Sequence, residues 1–206
     1  METNKIKRTK FNVSLLGEKS VGKSCMVQSL FGLPFNENQI ATIGVENFSD
    51  KATFDNKEYI FKIFDTAGQE RYDSVASGTI KIANGFLLVF SVNNRESLLK
   101  VKKWLKHIEE NVNINQKIIY LVGNKIDIPE REITNEEAVN FAKDNHMKYF
   151  ETSAKTGFKI KEVFHQIYSD IYELCKKLDS DKKPEKTDNI QLNKAKTIKE
   201  KKKKCC

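Results

Sequence analysis

The amino-acid sequence predicts an α/β protein built on an open, mostly parallel sheet that helices cover on both faces. Strand-like and helix-like segments alternate along the chain, which is typical of βαβ units. Two short apolar runs, Gly85–Val92 and Lys117–Val122, have the composition of strands buried on both faces. A glycine-bounded loop, Gly17–Ser24, lies between the first strand and the first helix. Ligands of such sheets bind at the carboxyl ends of the strands, so we expect the functional site there.

Two further strands are predicted because apolar and polar residues alternate along them. The segment Phe11–Leu16 alternates and then runs into Gly17, and the segment Tyr59–Phe64 alternates again. The first of these therefore leads directly into the glycine-bounded loop.

Helix signals lie between and after the strands. The segments Lys23–Phe31 and Ser97–Ile108 have helical apolar spacing, and the first ends near Gly32. Another helix begins at Thr134, where Glu137 three residues later completes a predicted capping box. The last helix is the clearest, because its apolar residues fall on one stripe at intervals of three and four. These residues are Ile160, Val163, Phe164, Ile167, Ile171, Leu174 and Leu178.

The net charge of +8 is confined to the two ends of the 206-residue chain. Positions 1–10 hold four basic residues against one acidic residue, and positions 179–206 hold ten lysines against five acidic residues. The intervening body holds 22 residues of each sign. The tail has few apolar residues and no aromatic residue, so it cannot offset its ordering entropy. We predict a flexible basic N-terminus over 1–9, one domain over 10–178 and a disordered tail over 179–206.

Composition and cysteine placement argue against several classes of protein. Nine glycines and three prolines do not fit a collagen-like or mucin-like chain. No apolar run reaches the roughly 18 residues of a membrane helix, and the polar N-terminus is not a secretory signal. Cys25 and Cys175 fall on core-facing helix positions, where we expect small buried side chains. With the other two cysteines at the end of the chain, no disulfide framework is predicted, and we expect a soluble intracellular protein.

The loop between the first strand and helix, GEKSVGKS, matches the pattern G-x-x-x-x-G-K-[ST]. Gly17 and Gly22 allow the backbone to curl so that its N–H groups face phosphate oxygens. Lys23 adds a positive charge for the β- and γ-phosphates, and the Ser24 hydroxyl suits Mg²⁺. The loop predicts a nucleoside triphosphate ligand without choosing the base.

A second motif, Asn124-Lys125-Ile126-Asp127, follows a predicted strand. The Asp127 carboxylate can accept two hydrogen bonds from guanine, a donor pair that adenine lacks. Lys125 can lie over the purine ring. The shorter motif Ser153-Ala154-Lys155 follows the segment Tyr149–Thr152, where a second base-contacting loop is expected.

A third motif, Asp65-Thr66-Ala67-Gly68-Gln69, ends the strand Tyr59–Phe64. Asp65 can hold Mg²⁺ through its water shell, and the Gly68 N–H can reach a γ-phosphate. Gln69 can orient the attacking water. Thr42, in the loop after the first helix, can complete the Mg²⁺ coordination only while a γ-phosphate is present, which predicts a two-state switch.

Together these motifs resemble the Ras superfamily of small GTPases, and within it the Rab branch. The resemblance covers about residues 10–178 and then the C-terminus, with GEKSVGKS, ATIG, DTAGQER, GNKID and ETSAK in the family's order and spacing. The Rab assignment rests on Thr42-Ile43-Gly44-Val45, on Gln69-Glu70-Arg71-Tyr72 and on the Cys205-Cys206 ending. The resemblance implies a P-loop NTPase small G domain with a mostly parallel six-stranded sheet and about five helices.

The resemblance also implies the site residues. Gln69 would be catalytic, Ser24, Thr42 and Asp65 would bind Mg²⁺, and Cys205 and Cys206 would be geranylgeranylated. The residues implied to bind GTP or GDP are Gly17, Glu18, Ser20, Val21, Gly22, Lys23, Ser24, Cys25, Phe35, Thr42, Gly68, Asn124, Lys125, Asp127, Ser153, Ala154 and Lys155.

By the same resemblance, the chain is expected to act as a GTP/GDP-switched regulator of vesicle trafficking that hydrolyses GTP slowly. The implied partners are an exchange factor, a GTPase-activating protein (GAP), a GDP-dissociation inhibitor, the prenylation machinery and effectors that bind the GTP form. We expect a monomer that binds no nucleic acid. It would cycle between the cytosol and the cytoplasmic face of an intracellular membrane, where the prenyl chains and nearby lysines anchor it.

Several positions depart from the Rab pattern. Asn47 stands where the family has an aromatic residue, and Phe48 is expected to face the other side of its strand. Phe64 replaces the usual tryptophan, and Thr79-Ile80 stands where two tyrosines are common. Lys19 occupies a phosphate-loop position that is usually small. It would crowd an incoming arginine finger or itself approach the γ-phosphate, or else remain a solvated side chain.

Two other classes of function compete with this prediction. A P-loop ATPase or nucleotide kinase would share the phosphate loop and would not depend on Asp127. A nucleic-acid binder would use the lysine-rich ends, and its affinity would depend on salt and on the tail. The neutral body and the lack of interleaved aromatic residues disfavour the second alternative.

Overall fold

The computed structural model describes residues 9–68 and 73–181, which form a six-stranded sheet in the order β2-β3-β1-β4-β5-β6. β2 pairs with β3 in the antiparallel sense, and every other neighbouring pair is parallel. The predicted mostly parallel sheet is therefore confirmed. The strands are β1 (Lys10–Leu16), β2 (Val45–Phe54), β3 (Lys57–Thr66), β4 (Gly85–Ser91), β5 (Ile118–Asn124) and β6 (Lys148–Glu151).

The described residues form six α-helices, of which α3 and α4 are separated by Lys100 alone. Counted as one interrupted helix, this pair brings the number to the expected five. A short 3-10 turn covers Ile114–Gln116. The helices are α1 (Lys23–Leu30), α2 (Asp73–Ile82), α3 (Arg95–Leu99), α4 (Val101–Asn111), α5 (Asn135–Asp144) and α6 (Ile160–Asp181).

Two apolar layers enclose the sheet, as the βαβ alternation predicts. On one face, strand residues such as Leu87 and Val89 pack with α1 and α6. On the other face, Phe86 and Leu88 pack with residues of α2, α3, α4 and α5. All seven residues of β4 are buried, because successive side chains point to opposite faces and both faces are covered.

Most predicted elements are found within a few residues of their expected ends. The Thr134 hydroxyl caps α5 by accepting the Glu137 N–H at 3.2 Å. The last helix continues to Asp181, three residues past the predicted domain end at 178. None of the helices in the described part of the chain is long and apolar enough to cross a membrane.

The outer strand β2 carries two of the departures from the Rab pattern. Asn47 is exposed and pairs across the strands with Phe64, which is buried. Phe48 faces the other side of the sheet, as expected, and stacks on Phe31 with 5.8 Å between ring centroids. At a further departure, Thr79 and Ile80 are both buried. An exposed cluster of aromatic side chains is therefore not formed by these positions.

Candidate functional site

A cavity of about 480 Å³ opens at the carboxyl ends of the strands. Its walls come from the loops that follow β1, α1, β5 and β6 and from the end of β3. These are the segments that carry the predicted motifs, so the fold brings them together at the edge of the sheet where we expect the ligand.

The loop after β1, which we call the phosphate loop (residues 17–24), curls tightly between the first strand and α1. Gly17 has a φ of 147°, and a Cβ atom at this residue would lie 2.1 Å from the Val89 carbonyl oxygen. Only glycine fits so close to the backbone of β4. The first glycine of the motif therefore sets the position of the loop against the sheet.

Lys23 begins α1 and turns its side chain back over the loop. Its Nζ donates to the carbonyl oxygens of Gly17 at 2.8 Å and Glu18 at 2.9 Å. Burial lowers the pKa of Lys23 to about 8, although the charges of Asp65 and Glu18 oppose this shift. A buried ammonium group whose hydrogen-bond partners among the described residues are carbonyl oxygens is suited to receive an anion.

Three oxygen-bearing side chains lie beside the loop. The hydroxyl oxygens of Ser24 and Thr42 are 2.7 Å apart, and the Thr42 hydroxyl lies 3.5 Å from Asp65 Oδ2. Asp65 Oδ1 is buried and has no hydrogen-bond partner among the described residues. Burial raises the pKa of the Asp65 carboxyl, while the Ser24 hydroxyl and the Lys23 charge act in the opposite direction.

These three side chains fit a magnesium ion. Mg²⁺ takes hydroxyl and carboxylate oxygens, often through water, and it would supply the partner that Asp65 Oδ1 lacks. Within residues 9–68 and 73–181, no group of three or more His, Cys, Asp or Glu side chains is placed to hold a metal ion. The fit therefore depends on the two hydroxyls as well as on the carboxylate.

Gly68, two residues after the end of β3, lies closer to the phosphate loop than a residue with a side chain could. A Cβ atom there would lie 2.3 Å from the Lys19 nitrogen and 2.5 Å from the Glu18 oxygen. The exposed side chain of Lys19 lines the cavity beside this contact. Gln69, the predicted catalytic residue, lies outside the described residues, as do Cys205 and Cys206.

The loops after β5 and β6 are joined through Asn124. Its amide nitrogen donates to the Val21 carbonyl oxygen of the phosphate loop at 2.9 Å, and its amide oxygen accepts the Ala154 N–H at 3.0 Å. The Ser153 hydroxyl donates to Asp127 Oδ1 at 2.5 Å. Asn124 thus ties the three predicted motifs together, and Ser153 fixes the carboxylate predicted to bind guanine.

The segment between α1 and β2 closes the same side of the cavity. Lys155 Nζ lies 5.8 Å from the centre of the Phe35 ring, and both residues line the cavity. Lys155 also forms an ion pair with Glu37 at 3.0 Å. An aromatic ring and a lysine stem are therefore available at the end of the cavity that is predicted to bind the base.

Not all predicted residues line the cavity. Ser20, Gly22, Lys125 and most of the others do, whereas a smaller group lies behind the lining and supports it. That group consists of Gly17, Glu18, Val21, Asp65 and Ser153.

Cys25 is half-buried rather than fully buried, which corrects the sequence prediction. Its Sγ hydrogen-bonds to Gln39 Oε1 at 2.9 Å, and burial raises the pKa of its thiol. Cys175 is also half-buried. Gln39 and Glu37 line the site and were missed because the predictions in this loop rest on Phe35 and Thr42, and no motif covers the positions between them.

Comparison with known proteins agrees with this geometry. The sequence model of the Ras family, which describes that protein family, matches residues 12–173. The chain is 36% identical to the GTP-binding protein ypt3 of Schizosaccharomyces pombe over 165 residues, 80% of this chain and 77% of that protein. It is 38% identical to the Ras-related protein Rab5A of Oryza sativa subsp. japonica over 165 residues, 80% of each chain. A Ras-related Rab5 protein of Nicotiana tabacum is 38% identical over 154 residues, 74% of this chain and 76% of its own.

The matched region includes every described motif of the site, and the six-stranded sheet carries these motifs at one edge. The chain therefore belongs to the Ras family of small GTPases and, within it, to the Rab branch.

Proposed function

We propose that the cavity binds GTP and GDP with Mg²⁺, and that the residues named above carry this activity. Hydrolysis of GTP is the general activity of the family. The observation that carries the assignment of the site is the position of Asn124, whose amide joins the phosphate loop to the Ser153-Ala154-Lys155 loop. We infer that a ligand spanning both ends of this cavity has its phosphates at one end and its base at the other.

At the phosphate end, the phosphate loop and Lys23 would bind the phosphates, and the Gly68 N–H would reach the γ-phosphate. Ser24, Thr42 and Asp65 would hold Mg²⁺, which neutralises developing charge on the phosphate oxygens. Gln69 follows Gly68 directly in the sequence. We assign it the orientation of the attacking water, because in phosphoryl transfer the protein mainly positions groups and stabilises charge.

At the base end, Asp127 would accept hydrogen bonds from guanine, while Lys125 and Phe35 would lie against the ring. Lys125 has a φ of 68°, a left-handed conformation that is uncommon outside glycine and is often found at binding sites. The hydrogen bond from Ser153 restrains the Asp127 carboxylate before the base arrives. Such restraint favours discrimination, because a base without the donor pair would leave the carboxylate unpaired.

Rab proteins are GTP-switched regulators of vesicle trafficking. For this chain we propose that the GTP form recruits effectors on an intracellular membrane, and that exchange factors, GAPs and a GDP-dissociation inhibitor control its cycle. Geranylgeranylation of Cys205 and Cys206 would provide the anchor, since two prenyl chains give stable membrane binding where one gives marginal binding. The lysines at 201–204 would add attraction to an anionic leaflet.

The guanine assignment is tested by Asp127→Asn in the full-length protein. We expect wild type to bind GDP in preference to ADP, and the variant to shift its preference toward xanthosine diphosphate, whose oxygen accepts where the guanine amine donates. Competition against a fluorescent nucleotide measures this change. The matched control is Asp144→Asn, at the end of α5 and away from the cavity. Equal affinity of wild type for ADP and GDP, or an unchanged preference in the Asp127 variant, would reject the guanine site.

A further inference from the structure

The Lys100 side chain reaches the phosphate loop from outside the cavity. Lys100 is the residue between α3 and α4, and 82 residues separate it from Glu18 in the sequence. Its Nζ lies 3.1 Å from Glu18 Oε2 and 3.0 Å from Glu96 Oε1. The Glu18 side chain is only 17% exposed, whereas that of Glu96 is 72% exposed. Of the two ion pairs, the one with Glu18 is less screened by water.

Glu18 is a point at which three parts of the site meet. Its carbonyl oxygen accepts the Lys23 ammonium at 2.9 Å. Its peptide group lies against Gly68, where an added Cβ atom would be 2.4 Å from the Glu18 carbonyl carbon. Its carboxylate forms an ion pair with the Lys100 ammonium group. A rotation of the Glu18 peptide would therefore move both the acceptor of Lys23 and the neighbour of Gly68.

Helix α3, which ends directly before Lys100, is attached to the sheet by hydrogen bonds. The Asn94 side chain caps α3 by accepting the Ser97 N–H at 3.0 Å, and the buried Ser97 hydroxyl accepts the Ser91 N–H at the end of β4. The Lys100 N–H donates to Glu96 O at 3.0 Å, and its carbonyl oxygen accepts the Lys103 N–H at the same distance. The backbone of Lys100 is thus held on both sides, so its side chain acts from a fixed base.

We propose that Lys100 is a positioning residue for nucleotide binding, which acts by holding the Glu18 carboxylate and thereby the phosphate loop. The proposal rests on the proposed function. Lys100, at the junction of α3 and α4, would thus position the phosphate end of the site although it does not itself contact the ligand.

The same contact makes the outer surface of the molecule part of the site. The Lys100 side chain is 40% exposed, and the neighbouring Leu99 is 61% exposed.

The test is the dissociation rate of fluorescent GDP from the full-length protein. We expect Lys100→Gln to release GDP about two- to fivefold faster than wild type, a range that corresponds to the effect of ion pairs with an exposed member. Lys100→Arg, which keeps the charge, should restore the wild-type rate to within about twofold. The matched control is Lys106→Gln, because Lys106 forms an exposed ion pair with Glu110 on the same helix, α4.

A double-mutant cycle with Glu18→Gln separates positioning from general destabilisation. If Lys100 acts through Glu18, adding Lys100→Gln to the Glu18 variant changes the GDP release rate no further. Additive effects, or equal effects of Lys100→Gln and Lys106→Gln, would overturn the proposal. A wild-type protein that binds no GDP would instead reject the proposed function, whereas wild-type binding with an unchanged Lys100 variant would reject this inference alone.

Discussion

Two buried ionisable side chains mark the site at the scale of single residues. Lys23 and Asp65 are each at most 5% exposed, and burial shifts the pKa of each toward its neutral form. Asp65 Oδ1 has no partner among the described residues. A buried charge that has only neutral partners, like Lys23, or an oxygen that has no partner, like Asp65 Oδ1, destabilises a fold, so the two together point to a ligand that supplies opposite charges. Phosphate for Lys23 and Mg²⁺ for Asp65 meet this requirement.

Lys19 gives the first prediction at this scale. Its exposed side chain lines the cavity, and its backbone nitrogen lies against Gly68, beside the predicted γ-phosphate position. We expect Lys19→Ser to leave GDP affinity nearly unchanged, because we propose that the loop binds phosphates with its backbone and with Lys23. The GTP turnover stimulated by an added GAP domain should rise roughly three- to tenfold, since an arginine finger would meet no competing cation.

Single-turnover hydrolysis of GTP with and without the GAP domain measures this effect. Lys161→Ser on α6 is the matched control, because that lysine is exposed and does not line the cavity. Equal stimulated rates in wild type and the Lys19 variant would show that Lys19 is only a solvated side chain.

Motif residues and ion-pair residues differ in how far the sequence predicts them. Gly17, Lys23 and Asp127 are predictable because short patterns encode their chemistry and spacing. Glu37 and Lys100 are not, because their partners lie 118 and 82 residues away in the sequence. A charged residue in an unmarked loop or helix looks the same whether it is solvated or paired, so only the fold distinguishes the two cases.

At the scale of elements, the segment between α1 and β2 is attached to its surroundings at three points. Glu37 pairs with Lys155, Gln39 accepts from Cys25, and Thr42 lies against Ser24. The Thr42 contact belongs to the predicted metal site and would change with the γ-phosphate. The Glu37 contact lies at the base end, so we expect it to restrain GDP and GTP alike.

Glu37→Gln should therefore speed the release of both nucleotides by about two- to threefold, because an exposed, solvent-screened ion pair holds the segment only weakly. Raising the ionic strength should reduce the difference from wild type. Dissociation of fluorescent GDP and of a non-hydrolysable GTP analogue measures the two rates. Glu130→Gln, an exposed glutamate of the loop after β5, serves as the control. A variant that releases only one nucleotide faster would contradict a role at the base end.

The strength of the sequence pattern also decides which elements are predictable. β4 and α6 are found because their apolar residues are continuous or strictly periodic. No helix is predicted over α2, since Ser77, Gly78 and Thr79 are weak helix formers. β2 is an edge strand with polar residues on its outer side, so its apolar signal is weak. Tertiary contacts, rather than local sequence, therefore determine that α2 is a helix and β2 is a strand.

At the scale of the whole molecule, the described residues place the proposed ligand site and the start of the tail at opposite ends. The site lies at the carboxyl ends of the strands. The last turns of α6 lie beside the turn between β2 and β3, where Lys176 Nζ is 2.8 Å from Asp55 Oδ2. That turn precedes β3, whose amino end is opposite to the site. A membrane anchor at the end of the chain is therefore compatible with an accessible cavity.

The net charge also differs between the body and the tail. The 22 basic and 22 acidic residues of positions 11–178 cancel, while positions 179–206 carry five more basic than acidic residues. We expect membrane binding to need both the terminal cysteines and the nearby lysines. Prenyl chains supply the hydrophobic free energy of insertion, and each lysine near an anionic surface adds up to about 1 kcal/mol.

Removal of Cys205-Cys206 from an N-terminally tagged full-length protein should move it from membranes to the soluble fraction of cells.

Replacing Lys201–Lys204 with glutamine should keep the lipids and lower the affinity of the prenylated protein for vesicles containing phosphatidylserine. The loss should be small on neutral vesicles, because the lysines act through surface charge. Replacing Lys143 in α5 and Lys161 in α6, which are exposed and distant from the tail in sequence, with glutamine is the control for charge elsewhere. Cosedimentation with the two vesicle types measures the effect. Equal losses on neutral and anionic vesicles would contradict the electrostatic role of the tail, and membrane retention without the cysteines would contradict lipid anchoring.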